Sequence, residues 1–465
     1  MERMVVARKM KRLNKTAIEQ RFKTPMKPAQ IIVLSFAGVI LVGSLLLMLP
    51  ISTVDHSTTS FVNALFTATS AVCVTGLVVV DTGTYWSTFG KTIILLLIQI
   101  GGLGFMTMTT SVAIILGKKI GLRNRMLMQE ALNQFSIAGV IKLTKYVILA
   151  TVLIEGIGAL LLSIRFIPMY GLAKGIYFSV FHSISAFCNA GFDLFGNYQS
   201  LIPFVHDPIV NLVIMALIIL GGLGFAVLAD ISQFKSFRKW TLHAKLVVVM
   251  TSGLLIVGFL GVLILEFNNP KTMGDFTIGQ KILSAMFQSV TPRTAGYNTL
   301  DIASLTMPTR LLTMALMFIG GSPGSTAGGI KTTTFGIMLL SIWAVFKGTE
   351  DINFRHRKIA KDSVNKALAV IFISMFLVVI ITFVLTAVEP DKSLESLMFE
   401  ALSAFGTVGL TMGITPMMSE FGKVLLITLM FFGRLGPLTM VIAISNSASQ
   451  NRTLIRYPEG KIIIG

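Results

Sequence analysis

Cysteine is nearly missing from this chain of 465 residues, which holds Cys73, Cys188 and five histidines. Two thiols build no disulfide framework and complete no metal site on their own. Each lies three residues before a glycine, Cys73 before Gly76 and Cys188 before Gly191, and reads as a small buried thiol at a helix end. Charge is sparse as well: Asp, Glu, Lys and Arg make up 13% of the residues. No paired carboxylates stand within the apolar runs. A membrane-embedded hydrolase needs a nucleophile, a base and an acid on facing helices, so the composition argues against an enzyme. No small-residue cleavage site leading into a soluble domain follows the first apolar run, which therefore reads as a retained span and not as a signal peptide.

What fills the chain instead is apolar: 54% of it is hydrophobic, with a mean hydropathy of +0.80. Runs at 31–49, 147–162, 209–228, 246–265 and 367–385 reach the length that crosses a bilayer. The net charge of +18 is gathered in five segments, 1–29, 117–147, 231–246, 347–366 and 447–465. They carry 28 of the 39 basic residues but only 7 of the 21 acidic ones. That distribution is the positive-inside pattern of a multi-pass protein, with both termini and three loops cytoplasmic. It leaves membrane lipid as the surrounding partner and offers no soluble basic face to a nucleic acid.

One short pattern recurs four times: a phenylalanine, a small polar stretch, then a single glycine. The copies run from Phe66 to Gly76, Phe181 to Gly191, Phe287 to Gly296 and Phe399 to Gly409, so the glycines lie 115, 105 and 113 residues apart. A second echo follows at matched offset: Gly101-Gly102-Leu103-Gly104, Gly221-Gly222-Leu223-Gly224, Gly320-Gly321-Ser322-Pro323 and Gly433-Arg434-Leu435-Gly436. A repeat of this length is a fold signal. The expected fold is an all-α polytopic membrane protein of four pseudo-repeats, each span, pore helix, filter loop and span, with eight spans and four re-entrant loops around one pore. The expected boundaries are a cytoplasmic N-terminus at 1–29, repeats at 30–116, 117–230, 231–346 and 347–446, and a cytoplasmic tail at 447–465. The expected pore helices are 61–72, 175–187, 278–290 and 394–405, too short to span. For the second echo, tight helix packing through small residues is the alternative.

Half-helices whose C-terminal ends meet at mid-membrane favour a cation. Glycine then lets the chain turn back with its carbonyls aimed inward, where they replace an ion's hydration water. The expected filter is Val74-Thr75-Gly76, Asn189-Ala190-Gly191, Thr294-Ala295-Gly296 and Thr407-Val408-Gly409. It carries neither acidic nor histidine side chains, which suits an easily dehydrated monovalent ion.

In the third repeat the second span is interrupted by Gly320, Gly321, Ser322, Pro323, Gly324, Ser325, Thr326, Ala327, Gly328, Gly329, Ile330 and Lys331. So much glycine with a proline opposes a straight helix, and the segment is expected to be an intramembrane gate, with a packing kink as the alternative. It is not a phosphate loop, because no lysine directly follows Gly329 and a membrane helix precedes it. Arg434 stands where two other repeats carry glycine and is expected to act as a charge barrier under the filter, against the alternative of snorkelling or capping carbonyls. Lys331 is placed at the inner mouth or as an interfacial anchor, and Arg293 as a pore residue or the partner of a carboxylate such as Glu400. His182 and Glu155 read as packed or hydrogen-bonded groups of the bundle.

The four loops, the string Pro292-Arg293-Thr294-Ala295-Gly296, the glycine-rich segment 320–331, Arg434 and the tail Arg456-Tyr457-Pro458-Glu459-Gly460-Lys461 together resemble the Trk/Ktr/HKT potassium transporters over nearly the whole chain. The resemblance is nearest to the KtrB membrane subunits, since no extra spans fit before the first run at Ile31. It implies potassium uptake at a bacterial cell membrane by a homodimer with one pore per protomer, potassium in the filter and sodium stimulation in some members. It further implies a cytoplasmic octameric KtrA-like ring that binds ATP or ADP and moves the gate segment, with the nucleotide on that partner and not on this chain. The tail is then expected at the dimer or ring contact. In plant relatives a serine at the first filter position accompanies sodium transport; this chain has Gly76 there. A sodium or mixed monovalent cation transporter of the same architecture is the competing expectation.

Overall fold

The computed structural model describes residues 28–104, 140–234, 236–349 and 351–444. The basic N-terminus, the link between the first two repeats and the tail string 456–461 lie outside the described residues.

The described chain is almost entirely helical, and its elements follow the repeat grammar. Four helices are long and apolar enough to cross a membrane: α1 (Pro28–Leu47), α4 (Val140–Tyr170), α8 (Leu242–Glu266) and α12 (Lys361–Val388). Each is followed by a shorter one: α2 (Phe61–Val72), α5 (Leu172–Phe187), α9 (Ile278–Val290) and α13 (Leu394–Gly406). At 1.5 Å per residue these run roughly 18–24 Å, short of a ~30 Å hydrocarbon core. Their starts are set locally. Ser60 and Ser393 accept from the amides of Asn63 and Ser396, and Thr277 forms a reciprocal capping box with Gln280.

Among the described residues the expected second spans of the second and fourth repeats are broken as well as that of the third, and the described part of the first ends at Gly104. The first is α3 (Thr88–Leu103), ending at Gly104. The second is α6 (Pro208–Leu223) and α7 (Phe225–Gln233), bent by 99° at Gly224. The third is α10 (Met307–Phe318) and α11 (Thr332–Phe346), separated by the glycine-rich segment. The fourth is α14 (Glu420–Leu435) and α15 (Pro437–Ile444), parted at Gly436. Gly104, Gly224 and Gly436 share one backbone geometry, φ 79–92° with ψ 137–138°. Side-chain-bearing residues scarcely visit that region, so these positions require glycine.

The helices close on themselves. α1, α4, α8 and α12 pack on the short helices that follow them, and α3, α6, α10 and α14 each pack on the short helix of the next repeat: α3 on α5, α6 on α9, α10 on α13, α14 on α2. The last contact joins the fourth repeat to the first and completes a cycle. Polarity runs opposite to that of a water-soluble protein. Phe372, Phe376 and Phe383 on α12 face outward, Phe383 being 74% exposed, while Thr151, Ser183, Ser284, Gln288 and Glu400 are buried. Outward apolar faces suit lipid; inward polar groups need partners inside the bundle. Beyond the helices, a small basic hairpin pairs β1 (Asn353–Phe354) with β2 (Arg357–Lys358) between the third and fourth repeats.

Candidate functional site

The short helices end in four loops with matching backbone. Val74, Asn189, Thr294 and Thr407 are left-handed, with φ between 49 and 73°, and two residues later Gly76, Gly191, Gly296 and Gly409 have φ between 69 and 94°. In three of them the amide between these two donates to the helix: Thr75 to Ser70, Ala190 to Ser185 and Val408 to Ser403, each at 2.8 Å. The third loop departs from this, with Ala295 donating to Thr291 at 3.0 Å, because it is one residue shorter from its phenylalanine.

The glycines lie against one another in a ring. A Cβ on Gly191 would stand 2.6 Å from the Ala295 carbonyl oxygen. One on Gly76 would overlap the carbonyl of Ala190, one on Gly296 that of Val408, and one on Gly409 that of Thr75. Each glycine thus meets the carbonyl that precedes the next glycine, in the order 76, 191, 296, 409 and back to 76. The structure brings all twelve triplet residues together, and Thr75, Ala190, Ala295 and Val408 are fully buried. Among the described residues no three His, Cys, Asp or Glu side chains converge. A cation at the ring would therefore meet backbone carbonyls.

The second glycine echo serves close packing. A Cβ on Gly101, Gly221 or Gly433 would overlap the carbonyl of Val72, Phe187 or Phe405, at the end of the short helix of the same repeat. Bare backbone at these positions lets α3, α6 and α14 seat directly on the ends of α2, α5 and α13. This is the alternative that sequence reading had left open.

Residues 319–331 fold beneath the ring as a knot of backbone hydrogen bonds. Gly320 donates to Ile330 at 2.9 Å and Thr332 to Gly321 at 3.0 Å, closing the loop at its base. Ser322 donates to Gly222 at 3.0 Å, Thr326 to Gly221 at 3.2 Å, and Phe225 to Gly324 at 3.0 Å, pinning the loop to the α6–α7 break. The Thr326 hydroxyl reaches the Phe187 carbonyl at 3.0 Å. On the other side Gly328 abuts the Thr407 side chain so closely that a Cβ would overlap its hydroxyl. The segment is thus wedged between the second and fourth short-helix ends.

Arg434 donates from Nη1 to the Thr326 carbonyl and from Nη2 to those of Gly101 and Gly102, the last at 3.2 Å. It joins the glycine-rich segment to the end of α3, a carbonyl-capping role that sequence alone could not attach to these partners. Lys331 folds back on its own loop, with Nζ donating to Ala327 at 2.7 Å. Arg293 contacts the carbonyls of Thr251 and Gly320, each at 3.5 Å, and is not the partner of Glu400, whose carboxylate is occupied by Thr411 and Thr415. Cys73 and Cys188 are free buried thiols capping α2 and α5. Glu155 accepts from Gln99 at 3.2 Å within the bundle, and His182 bonds the Phe178 carbonyl at 2.7 Å. The breaks at Gly224 and Gly436 were missed, although the last glycine of each echo was there to signal them.

Comparison with known proteins agrees with this architecture. Residues 4–453 match the family model described as cation transport protein, TrkH. The chain is 49% identical to Ktr system potassium uptake protein B of Bacillus subtilis, over 94% of this chain and 97% of that one. It is 44% identical to potassium/sodium uptake protein NtpJ of Enterococcus hirae, over 97% of this chain and all of the other. The crystal structure of the potassium transporter TrkH from Vibrio parahaemolyticus superposes with a TM-score of 0.70 at 19% identity, covering 91% of this chain and 86% of that one. With its match running almost end to end and its helices closing in the same fold, the chain belongs to the TrkH family of cation transport proteins.

Proposed function

We propose that this protein is the membrane subunit of a potassium uptake system, and that Val74–Gly76, Asn189–Gly191, Thr294–Gly296 and Thr407–Gly409 form its selectivity filter. The observation that carries the reading is the closed ring in which each glycine faces a neighbour's carbonyl. Neutral backbone dipoles in a ring replace the hydration of a monovalent cation, and their spacing and field strength discriminate between ions. The names of relatives at 49% and 44% identity support the substrate class. In this reading the four second helices complete eight spans, the four short helices re-enter the membrane, and the excess of basic residues in 1–29 and 447–465 keeps both termini in the cytoplasm.

Residues 320–331 are the gate in this proposal, and Arg434 is both a positive charge under the filter and the strap that holds the gate closed. A homodimer on a cytoplasmic nucleotide-binding KtrA-like ring supplies the force that moves the gate; its ATP or ADP belongs to the partner. Purified protein in liposomes tests the substrate: potassium uptake should exceed sodium uptake by at least about tenfold, a 1.4 kcal/mol preference. Equal fluxes overturn the potassium filter and favour the second reading, a mixed potassium and sodium pathway, to which the name of the Enterococcus relative gives weight.

A further inference from the structure

The residue after the conserved phenylalanine is polar on every short helix: Thr67, His182, Gln288 and Glu400, all buried. A buried polar group without a partner is costly, so four at one repeat position call for a use. Three residues further along stands a hydroxyl in every copy: Ser70, Ser185, Thr291 and Ser403. Positions three apart share a helix face, here the face behind the filter loop.

What these pairs hold differs by repeat. In the fourth, Ser403 Oγ accepts from the Gly409 amide at 3.1 Å. Glu400 takes the hydroxyl of Thr411 and that of Thr415 at 2.9 Å. The filter glycine and the stretch just beyond it are thus hung at two points on one helix. The second repeat does the same with other groups. Ser185 Oγ donates to Phe192 at 2.8 Å, and His182 Nε2 accepts from the Leu194 amide at 3.3 Å. Leu194 lies three residues past its glycine, and Thr411 and Thr415 lie two and six past theirs. The third repeat keeps one point: Thr291 donates to the Tyr297 carbonyl, while Gln288 and the Thr299 hydroxyl, also three past its glycine, find no protein partner. The first keeps neither. Thr67 turns back to Asn63 at 2.9 Å, and Ser70 Oγ has no partner.

We propose that Glu400 is a positioning residue for ion selectivity: it clamps the outward leg of the fourth filter loop and so holds Gly409 at the spacing the carbonyl ring requires. The inference rests on the filter reading above. Glu400 makes more of these contacts than any counterpart, and an acceptor-only carboxylate gathers several donors where an amide or hydroxyl cannot. Gly409 is also the member that closes the ring onto Thr75. Loss of its outer clamp should let the ring adjust to a smaller ion.

The test is the potassium-to-sodium flux ratio in liposomes for wild type, Glu400→Leu, Glu400→Gln and Thr415→Val. Glu400→Leu should lower the ratio about tenfold, and Glu400→Gln, which retains one acceptor, should restore most of it. Thr415→Val removes one donor with little risk to folding and should lower the ratio about threefold. A further variant, Glu266→Gln, touches a buried carboxylate that accepts from Thr306 and Thr272 at 2.7 Å, at the far end of α8, away from the ring. It should cost stability and leave the ratio unchanged. A wild-type ratio in Thr415→Val, or in folded Glu400→Leu, overturns the proposal while the filter reading stands. So does an equal fall in Glu266→Gln, which would mean general loosening. A wild type without discrimination overturns the filter reading itself.

Discussion

The ring of filter glycines and the layer beneath it are built from the same four repeats but treat symmetry in opposite ways. At the ring the copies are nearly interchangeable: each has a left-handed residue, an amide turned to the helix in three of four, and a glycine facing the next carbonyl. One layer down the copies diverge. Two second helices break at a lone glycine, Gly224 and Gly436, the third spends residues 319–331 on a knot, and only the fourth carries an arginine within its glycine echo. In the proposed reading, four similar walls coordinate one ion by dipoles, while closing the path takes one wall that moves and one fixed charge to hold it, which a symmetric layer would not supply.

The largest effect should come from breaking the symmetric layer. Gly76→Ser places a side chain on the Ala190 carbonyl in a left-handed backbone, so the potassium-to-sodium flux ratio should fall by more than about tenfold. An unchanged ratio would separate the ring from selectivity. Deleting 321–328 attacks the asymmetric layer alone. In protein without its regulator, flux should rise about tenfold while the ratio stays near wild type, and flux at the closed level would remove the gate from the proposal. Arg434→Ala cuts the strap to Thr326, Gly101 and Gly102 without removing the knot. Flux should then rise by about threefold to tenfold, consistent with one or two charge-assisted hydrogen bonds, and a folded but silent variant would contradict the restraining role. The smallest effect is expected at a hinge. A Cβ on Gly436 meets nothing within 4 Å, so Gly436→Ala pays only for its backbone angle, about 1–3 kcal/mol of stability. Thermal unfolding should record that loss with the flux ratio intact; a shifted ratio would tie the hinge to the ring.

Much of this arrangement was legible beforehand. The period of Gly76, Gly191, Gly296 and Gly409 marked the loops, and apolar runs cut short marked α2, α9 and α13 within a residue or two of their observed ends. The breaks at Gly224 and Gly436 were not legible as breaks. A glycine within an apolar run is as compatible with helix packing as with a hinge, and here the first glycine of each echo packs while the last one bends. Glu400 was read only as a candidate partner for Arg293, for a similar reason. Its partners Thr411 and Thr415 lie on the far side of a loop whose path pattern alone does not specify.

By itself, the amino-acid order determined which segments must leave water, how many times the design recurs, and where the backbone requires a residue without a side chain. Those are local matters: transfer free energy and allowed dihedral angles belong to each stretch of chain separately. Which carbonyl each glycine faces and which loop Arg434 restrains were decided only by the closed packing of the helices. Each of these contacts joins groups about a hundred or more residues apart, brought together when α14 returned to α2.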